Sequence, residues 1–358
     1  MTSIWDPITI GRMRLPQRIT MSPMTRSRAE ADGTPSRLAV DYYAQRASLG
    51  LLITEGTQPS ADGQGYLNTP GIYTQAHVDG WREVADAVHA GGGHLVIQLM
   101  HVGRMSHPDN TPHHRTPVAP SAIAPGVDMF TPTGKQPAPT PRALSIDEIA
   151  STVRDFADAA ELAIAAGADG VEIHGANGYL LQQFLSPNAN HRTDEYGGSI
   201  ENRARLTMEV ASAVVDRIGP ERVGIRLSPG ATLGGLDEGP EADSLYRHLV
   251  TELATLDLAF LDLYSFDDRG LLADIRAAWP RALLLIRDGR TLDEVGADVE
   301  AGLADVAPVA RWALANPDLI DRLRTGAVLN EADPATFYSG GARGYTDYPT
   351  LTEAEEAS

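Results

Sequence analysis

Short apolar segments that alternate with helical segments constrain the fold of this chain more than any other feature. Eight such segments recur along the sequence, and each is followed by residues with the pattern of a helix. They are residues 19–21, 51–55, 94–100, 170–174, 223–227, 259–263, 282–286 and 305–309, the last of which contains Pro308. Strands that alternate with helices form a parallel sheet, and eight strand–helix units close into a barrel. The sequence therefore predicts an α/β protein, a single (β/α)8 TIM barrel domain over residues 1–358.

Local signals refine the ends of these elements. Ser145-Ile-Asp-Glu148 and Thr291-Leu-Asp-Glu294 are capping boxes, which predict that a helix begins at each of them. Residues 352–358 follow the last predicted element, and we expect them to be frayed.

The segment 101–144 interrupts the alternation of strands and helices. It contains nine prolines and shows no helical periodicity. Because it follows the third strand, we expect it at the C-terminal face of the barrel, where barrel enzymes have their active sites. Long loops in compact domains are often functional, so a lid-like loop is predicted, with a passive surface loop as the alternative.

Composition excludes several classes of function. Lys plus Arg total 29 against 48 Asp plus Glu, a net charge of −19, which argues against nucleic acid or an anionic membrane as a partner. The chain has no cysteine, so disulfides, thiolate metal sites and cysteine-ligated iron–sulfur clusters are excluded. The sequence shows no signal peptide and no membrane-spanning run, and the loop histidines match no metal-ligand spacing. A cytoplasmic monomer or homodimer without a metal is expected.

His174, Asn177 and Tyr179 follow the fourth strand within six positions. Polar residues at the C-terminal ends of barrel strands are typically functional, and this set could bind a polar oxygen of a ligand. The alternative is that His174 and Asn177 only stabilise a long loop and that Tyr179 is a packed core phenol. Arg226 and Arg311 end later strands. Such a set suits a planar electron-accepting ring, because an arginine beside one edge favours a reduced, anionic form.

Several motifs resemble those of the old yellow enzyme family of FMN-dependent ene-reductases. The longest is VEIHGANGYLLQQFLSPNANHRTDEYGGSIENRAR, at residues 171–205. RITMSPMTRSRA, QLMHVGRMSHP, GIRLSP, ANPDL and FYSGGARGYTDYP occur in the order of the family and span almost the whole chain. The thermophilic-like branch of the family has a cysteine where this chain has Thr25, so the resemblance is to the classical bacterial branch.

The resemblance implies FMN as the cofactor and NAD(P)H as the reductant. Thr25 would hydrogen-bond the flavin C4 carbonyl, and Gln98 and Arg226 would bind the pyrimidine edge. Gly56 would let the ring approach the backbone closely, and Arg311 would bind the phosphate. The complete set of implied flavin contacts is Pro23, Met24, Thr25, Gly56, Gln98, Arg226, Gly289, Ala310 and Arg311.

The same resemblance implies the reduction of activated C=C bonds in α,β-unsaturated carbonyl or nitro compounds. His174 and Asn177 would hold the carbonyl oxygen, hydride would pass from flavin N5 to the β-carbon, and Tyr179 would protonate the α-carbon. Donors aimed at a developing enolate stabilise charge that appears only in the transition state, and a tyrosine near its ordinary pKa can be the acid. Met100 stands where relatives often have a bulky aromatic residue, which predicts a roomier pocket. The implied substrate-binding residues are His174, Asn177, Tyr66, Met100 and Tyr345.

Departures from the family pattern at the phosphate end leave alternatives open. Asp288-Gly289-Arg290-Thr291 stands in place of a Gly-Gly-aromatic-Thr run, and Ala310 stands in place of a glycine. Asp288 would repel a phosphate group if it faced it, and Arg287 or Arg290 could compensate. The alternatives are a specialised desaturase or isomerase that uses a flavin or deazaflavin, and a flavin-free binding barrel.

Overall fold

A computed structural model describes residues 2–265, 269–287 and 289–356. Its centre is an eight-stranded parallel sheet in which consecutive strands are neighbours. The strands are β1 (Ile19–Met21), β2 (Leu51–Ile53), β3 (His94–Leu99), β4 (Gly170–Gly175), β5 (Val223–Leu227), β6 (Phe260–Ser265), β7 (Ala282–Arg287) and β8 (Ala307–Val309). β8 pairs with β1 through Ala307 and Ile19, and a bridge between Leu284 and Val306 joins β7 to the start of β8. The sheet closes on itself, which confirms the predicted (β/α)8 barrel.

Helices connect the strands and pack around the barrel. They are α1 (Arg37–Ala44), α2 (Gln75–Ala90), α3 (Ile146–Ala165), α4 (Leu180–Leu185), α5 (Ile200–Ile218), α6 (Ala242–Ala254), α7 (Arg269–Ala278), α8 (Ala297–Glu300), α9 (Arg311–Ala315), α10 (Leu319–Thr325) and α11 (Leu351–Glu356). In the described part of the chain, none of them has both the length and the apolar character that crossing a membrane requires.

The two predicted capping boxes are present, but they begin different structures. Ser145 caps α3, because the Glu148 N–H donates to Ser145 Oγ and the Ser145 N–H donates to Glu148 Oε2. The box from Thr291 to Glu294 opens only a 3-10 turn ahead of α8. The prediction of a helix at this second box is therefore wrong in its type.

The end of the chain also differs from the expectation. Residues 352–356, expected to be frayed, belong to α11. The reason is a third cap: the Thr350 N–H donates to Glu353 Oε2 at 2.8 Å, and the Glu353 N–H donates to Thr350 Oγ1 at 3.4 Å. Residues 357–358 lie outside the described residues.

Apolar side chains close the N-terminal end of the barrel. A hairpin of Ile8–Ile10 and Met13–Leu15 precedes β1, and its buried residues pack with Ile53 and Phe260 from the barrel interior. Phe260 also fills the space beside Gly224, where a Cβ would lie 2.1 Å from the Phe260 Cζ. The N-terminal end of the barrel interior is therefore apolar, and the polar side chains of the strands lie toward the C-terminal end.

The loop 101–144 begins at the C-terminal end of β3, as predicted, and contains more regular structure than its prolines suggest. Asp128–Thr131 and Gly134–Pro137 form a hairpin, and Val118–Ala119 pairs with Arg142–Ala143. These pairings give a proline-rich segment a fixed shape.

The same loop holds the backbone next to Tyr66. Ser106 Oγ donates to the Gln64 carbonyl at 2.9 Å, and Asn110 Nδ2 donates to the Gly65 carbonyl at 3.0 Å. The loop after β3 and the loop after β2 therefore form one wall at the C-terminal face.

Candidate active site

His174 lies near the C-terminal end of β4 with 3% of its surface exposed. Its Nδ1 accepts a hydrogen bond from the Ala176 N–H at 3.3 Å. Burial, and then the charge of Arg226, hold the pKa of His174 well below its ordinary value, so the imidazole is neutral. A neutral imidazole that accepts at Nδ1 carries its proton on Nε2, which is therefore a fixed hydrogen-bond donor.

Asn177 lies in a turn directly after β4, with a left-handed backbone conformation (φ +55°). Its N–H donates to Ser228 Oγ at 2.9 Å, and the neighbouring Gly178 N–H donates to Gln182 Oε1 at 2.7 Å. These two bonds fix the backbone of the turn. The Asn177 Oδ1 is buried and has no hydrogen-bond partner among the described residues. The side-chain amide is thus positioned but still able to bind a ligand.

Tyr179 and Tyr66 bring two phenols together beside His174. The Tyr179 hydroxyl donates to the Tyr66 hydroxyl at 3.2 Å, and the ring centroids of Tyr179 and His174 are 5.1 Å apart. Burial, with a smaller contribution from Tyr66, raises the pKa of Tyr179 well above its ordinary value. The expectation of an ordinary pKa is therefore wrong, and Tyr179 keeps its proton throughout the physiological pH range.

A second polar group lies on β3, β4, β5 and β6 inside the barrel. Arg226 Nη1 donates to Asp262 Oδ2 at 3.0 Å and to Ser22 Oγ at 3.3 Å. Gln98 Nε2 donates to Glu172 Oε1 at 2.7 Å. Arg226 Nε is buried without a partner in the described part of the chain. The group therefore still has a charged donor available for a ligand.

The residues after β1 are held by an acid that sequence reasoning did not identify. Pro23, Met24 and Thr25 are half-buried. Glu55 Oε2 accepts the N–H of the next residue, Arg26, at 2.9 Å. Burial raises the pKa of Glu55 to about 7. The only sequence signal for Glu55 was an acid at the end of an apolar strand.

Gly56 and Met100 face one another at the ends of β2 and β3. A Cβ on Gly56 would lie 2.4 Å from both the Sδ and the Cε of Met100. Met100 itself is 2% exposed. Met100 therefore fills the space beside the Gly56 Cα, and a close approach of the flavin ring to Gly56 stays a prediction.

A cavity of about 330 Å³ lies at the ends of β7 and β8. Gly289, Ala310 and Arg311 line it, and Arg311 is exposed with its guanidinium 5.5 Å from the Trp312 ring. Asp288 lies outside the described residues.

The two arginines expected to compensate for Asp288 are already engaged with another acid. Arg287 Nε lies 3.0 Å from Asp298 Oδ2, and Arg290 Nη2 lies 3.2 Å from the same atom. Both arginines still line the cavity, so its lining carries three arginines, namely Arg287, Arg290 and Arg311.

Tyr345 lies fully buried in a group of aromatic and arginine side chains. It stacks on Tyr42 with 4.1 Å between ring centroids, and the guanidiniums of Arg26 and Arg28 lie over its ring. The two arginines also bind the backbone around Tyr345, since Arg26 Nη2 donates to the Gly344 carbonyl at 2.8 Å and Arg28 Nη2 to the Thr336 carbonyl at 2.8 Å. A role of Tyr345 on the substrate side stays a prediction.

The structure thus arranges the predicted residues in three places. His174, Tyr179 and Tyr66 meet at the mouth, and Asn177 lies in the turn directly after β4. Gln98 and Arg226 belong to the polar group inside the barrel, and Gly289, Ala310 and Arg311 line the cavity at β7 and β8. Buried polar atoms without partners among the described residues fit the ring of FMN, and the arginines that line the cavity fit its phosphate.

Tyr338 was also missed by sequence reasoning. It is 67% exposed, and its charge, when ionised, would raise the pKa of both Tyr66 and Tyr179. Its position at the mouth depends on a loop geometry that no local sequence pattern indicated.

Comparison with known proteins places this arrangement among flavin enzymes. Residues 3–330 match the family described as NADH:flavin oxidoreductase / NADH oxidase. The chain is 44% identical over 357 residues to a probable flavin mononucleotide-dependent alkene reductase of Leishmania infantum, with 96% of each chain covered. Among solved structures, morphinone reductase in complex with tetrahydroNAD is 44% identical, with a TM-score of 0.94 and 98% of each chain covered. An old yellow enzyme homologue from Zymomonas mobilis is 39% identical, with a TM-score of 0.94 and coverage of 98% of this chain and 100% of that chain.

These matches confirm the resemblance to the old yellow enzyme family, while the classical bacterial branch stays a prediction. The family match spans the barrel from its first strand to its last. The chain therefore belongs to the NADH:flavin oxidoreductase / NADH oxidase family.

Proposed function

We propose that this protein is an FMN-dependent ene-reductase, which uses NAD(P)H to reduce the activated C=C bond of α,β-unsaturated carbonyl or nitro compounds. The observation that carries the proposal is the neutral His174, whose Nδ1 is occupied by the Ala176 N–H and whose Nε2–H is left to donate. The protonated Tyr179 lies beside it, and Asn177 lies in the turn directly after β4. Two neutral donors and one acid are what the reduction of an enone requires.

His174 and Asn177 act on the substrate carbonyl. The Nε2–H of His174 and the side-chain amide of Asn177 bind the carbonyl oxygen and polarise the conjugated alkene. Negative charge grows on that oxygen as the β-carbon gains hydride, so both hydrogen bonds are stronger in the transition state than in the ground state. When bound, FMN supplies that hydride, which it has received from NAD(P)H.

Tyr179 completes the reaction by proton transfer to the α-carbon. Its raised pKa keeps the phenol protonated until a strongly basic carbon is present. The proton that Tyr179 transfers is the one on its hydroxyl, which in the absence of substrate is donated to the Tyr66 hydroxyl. The Tyr66 hydroxyl can then turn and donate to the Tyr179 oxygen, which limits the charge left on a buried phenolate.

The proposed flavin contacts are divided among the ends of several strands. Thr25, with Pro23 and Met24, would bind the C4 edge, Gln98 and Arg226 the pyrimidine edge, and Gly56 would give the ring access to the backbone. Arg311, with the backbone at Gly289 and Ala310, would bind the phosphate. Met100 would border the substrate, since it packs directly on Gly56.

The same site could serve a specialised desaturase or isomerase, and the altered phosphate end is the observation that favours this second candidate. A flavin-free barrel is set aside because the chain is a member of a flavin oxidoreductase family. We further propose a cytoplasmic location, which its use of NAD(P)H supports, and a monomer or homodimer, which light scattering would distinguish.

The visible spectrum of the purified protein tests the proposal. We expect bound FMN, anaerobic bleaching by NADPH or NADH and reoxidation by cyclohexenone with formation of cyclohexanone. Net consumption of NAD(P)H separates a reductase from an isomerase, which would consume none. A protein with bound FMN that NAD(P)H reduces, but that no enone or nitroalkene reoxidises, would refute the ene-reductase function.

A further inference from the structure

Asp262 is the partner of Arg226, and nothing in the proposed chemistry uses it. The two residues occupy paired positions on β5 and β6, with Arg226 Nη1 3.0 Å from Asp262 Oδ2. Their side chains are 6% and 0% exposed, respectively. Water therefore screens this ion pair little, and each charge strongly affects any group that binds next to it.

Glu172 places a second carboxyl group against Asp262. Its Oε1 accepts the hydrogen bond from Gln98, while Glu172 Oε2 and Asp262 Oδ1 are buried without another partner among the described residues. Burial and the charge of Asp262 raise the pKa of Glu172 well above its ordinary value. Glu172 is therefore the protonated member of the pair, and Asp262 is the carboxylate that can accept its proton in a hydrogen bond.

The charge of the whole group follows from these assignments. Arg226 carries one positive charge and Asp262 one negative charge, while Glu172, His174 and Gln98 are neutral. The polar group inside the barrel thus has no net charge. Without the Asp262 carboxylate it would carry one uncompensated positive charge beside the mouth.

We propose that Asp262 sets the reduction potential of the bound flavin by neutralising Arg226. The inference rests on the proposed function, in which Arg226 binds the pyrimidine edge of FMN. Two electrons and one proton enter the flavin as hydride from NAD(P)H, and the reduced ring carries its negative charge at N1–C2, next to Arg226. The Asp262 carboxylate opposes that charge, so the reduced flavin is a stronger hydride donor to an alkene. Asp262 is a positioning residue, since it acts only through Arg226.

The test is the midpoint potential of the FMN-loaded protein, measured by dye equilibration. The informative variant combines Asp262→Asn with Glu172→Gln, because Glu172 alone could ionise and replace the missing charge. We expect the equilibrium to move at least tenfold toward reduced flavin, which for a two-electron couple is a positive shift of about 30 mV or more. A smaller shift, or a negative one, would overturn the proposal.

The single variant Glu172→Gln is the matched control. This variant removes a carboxyl group that belongs to the same cluster and is already neutral. The equilibrium between its oxidised and reduced flavin should therefore differ from that of the wild type by less than about twofold, or about 9 mV in midpoint potential. A tenfold shift in this control would mean that Glu172 carries the charge, and would also overturn the proposal.

Two further measurements keep the test decisive. FMN content and cyclohexenone reduction are measured on the same wild-type preparation. If the wild type lacks bound FMN or does not reduce cyclohexenone, the proposed function is refuted rather than this inference. If the double variant does not bind FMN, the wild type is loaded with 8-hydroxy-FMN, whose anion spreads its charge onto N1–C2. If the charges of Arg226 and Asp262 cancel, the pKa of the 8-hydroxyl group in the bound flavin should lie within about one unit of its value in the free flavin. A larger decrease would show that the charge of Arg226 is not compensated and would overturn the proposal.

Discussion

Replacing His174 with alanine should slow the reduction of the alkene far more than it slows the reduction of the flavin. The reason lies in the hydrogen bond from the Ala176 N–H to Nδ1, which orients the ring and fixes the proton on Nε2 before substrate arrives. A donor that is already oriented requires no reorganisation during the reaction, and this is the condition under which such donors contribute most.

The expected loss can be estimated from that role. Removing one donor of an oxyanion-binding pair typically costs about 10²–10³-fold in rate, or about 2.7–4 kcal/mol of transition-state stabilisation. Asn177 remains in the variant, so the rate should not fall to the uncatalysed level. Because the pKa of His174 lies well below its ordinary value, the wild-type rate should show no His174 titration between about pH 6 and 8.

Stopped-flow mixing of pre-reduced enzyme with cyclohexenone measures this step by flavin reoxidation. His101→Ala is the matched control, because His101 is also buried and also accepts a backbone N–H at Nδ1, from Gly103 at 3.1 Å, outside the proposed site. A loss in His174→Ala below about fivefold, which is about 1 kcal/mol, would refute the assignment of His174 as a transition-state donor. Equal losses in the two variants would refute it as well.

Three other predictions follow from the same contacts. Burial raises the pKa of Glu55 from 4.5 to about 7, so the folded protein holds a proton that the unfolded chain releases, and stability is lost as pH rises through this range. Glu55→Gln keeps an acceptor for the Arg26 N–H, so its free energy of unfolding in urea should rise by about 3 kcal/mol relative to that of the wild type as the pH goes from 4.5 to 7. A difference between the two proteins that does not change with pH would contradict this. Met100→Trp should lower kcat/KM for bulky enones selectively, since Met100 fills the space over Gly56; equal changes for small and large enones would count against it. Arg311→Ala should weaken FMN binding by about tenfold or more in a fluorescence titration. Arg290→Ala should weaken it less, because Arg290 is already paired with Asp298. A larger loss in Arg290→Ala than in Arg311→Ala would exclude Arg311 as the residue that binds the phosphate.

The barrel could be predicted because its strands are buried on both faces. Each strand is therefore a largely apolar run that can be recognised in the sequence without knowledge of its neighbours. The ends of the strands were less predictable, as β8 shows. The predicted strand begins at Asp305, but the strand in the structure begins at Ala307. Asp305 is used differently: its Oδ2 accepts the Leu283 N–H at 2.9 Å and pairs with Arg276 at 2.7 Å.

The candidate site divides in the same way. His174, Asn177 and Tyr179 could be found because they lie close together in one recognisable stretch of sequence. Glu55 and Asp262 could not, since each is an acid inside or at the end of an apolar strand, a pattern that indicates burial without naming the partner. The partner of Asp262 depends on the register between β5 and β6, which sets it opposite Arg226.

The burial of Arg26 and Arg28 has a consequence for the order in which the protein can be completed. Both follow β1, yet their acceptors at Gly344 and Thr336 are separated from them by 318 and 308 positions, respectively. A chain leaves the ribosome N-terminal end first, and a guanidinium buried without acceptors is strongly unfavourable. Until residues 336–344 have been synthesised, Arg26 and Arg28 lack most of their acceptors, so the backbone beside Thr25 is not yet held as it is in the complete protein. The proposed flavin contact at Thr25 is thus completed only after residues 336–344 have been synthesised, later than the last strand of the barrel.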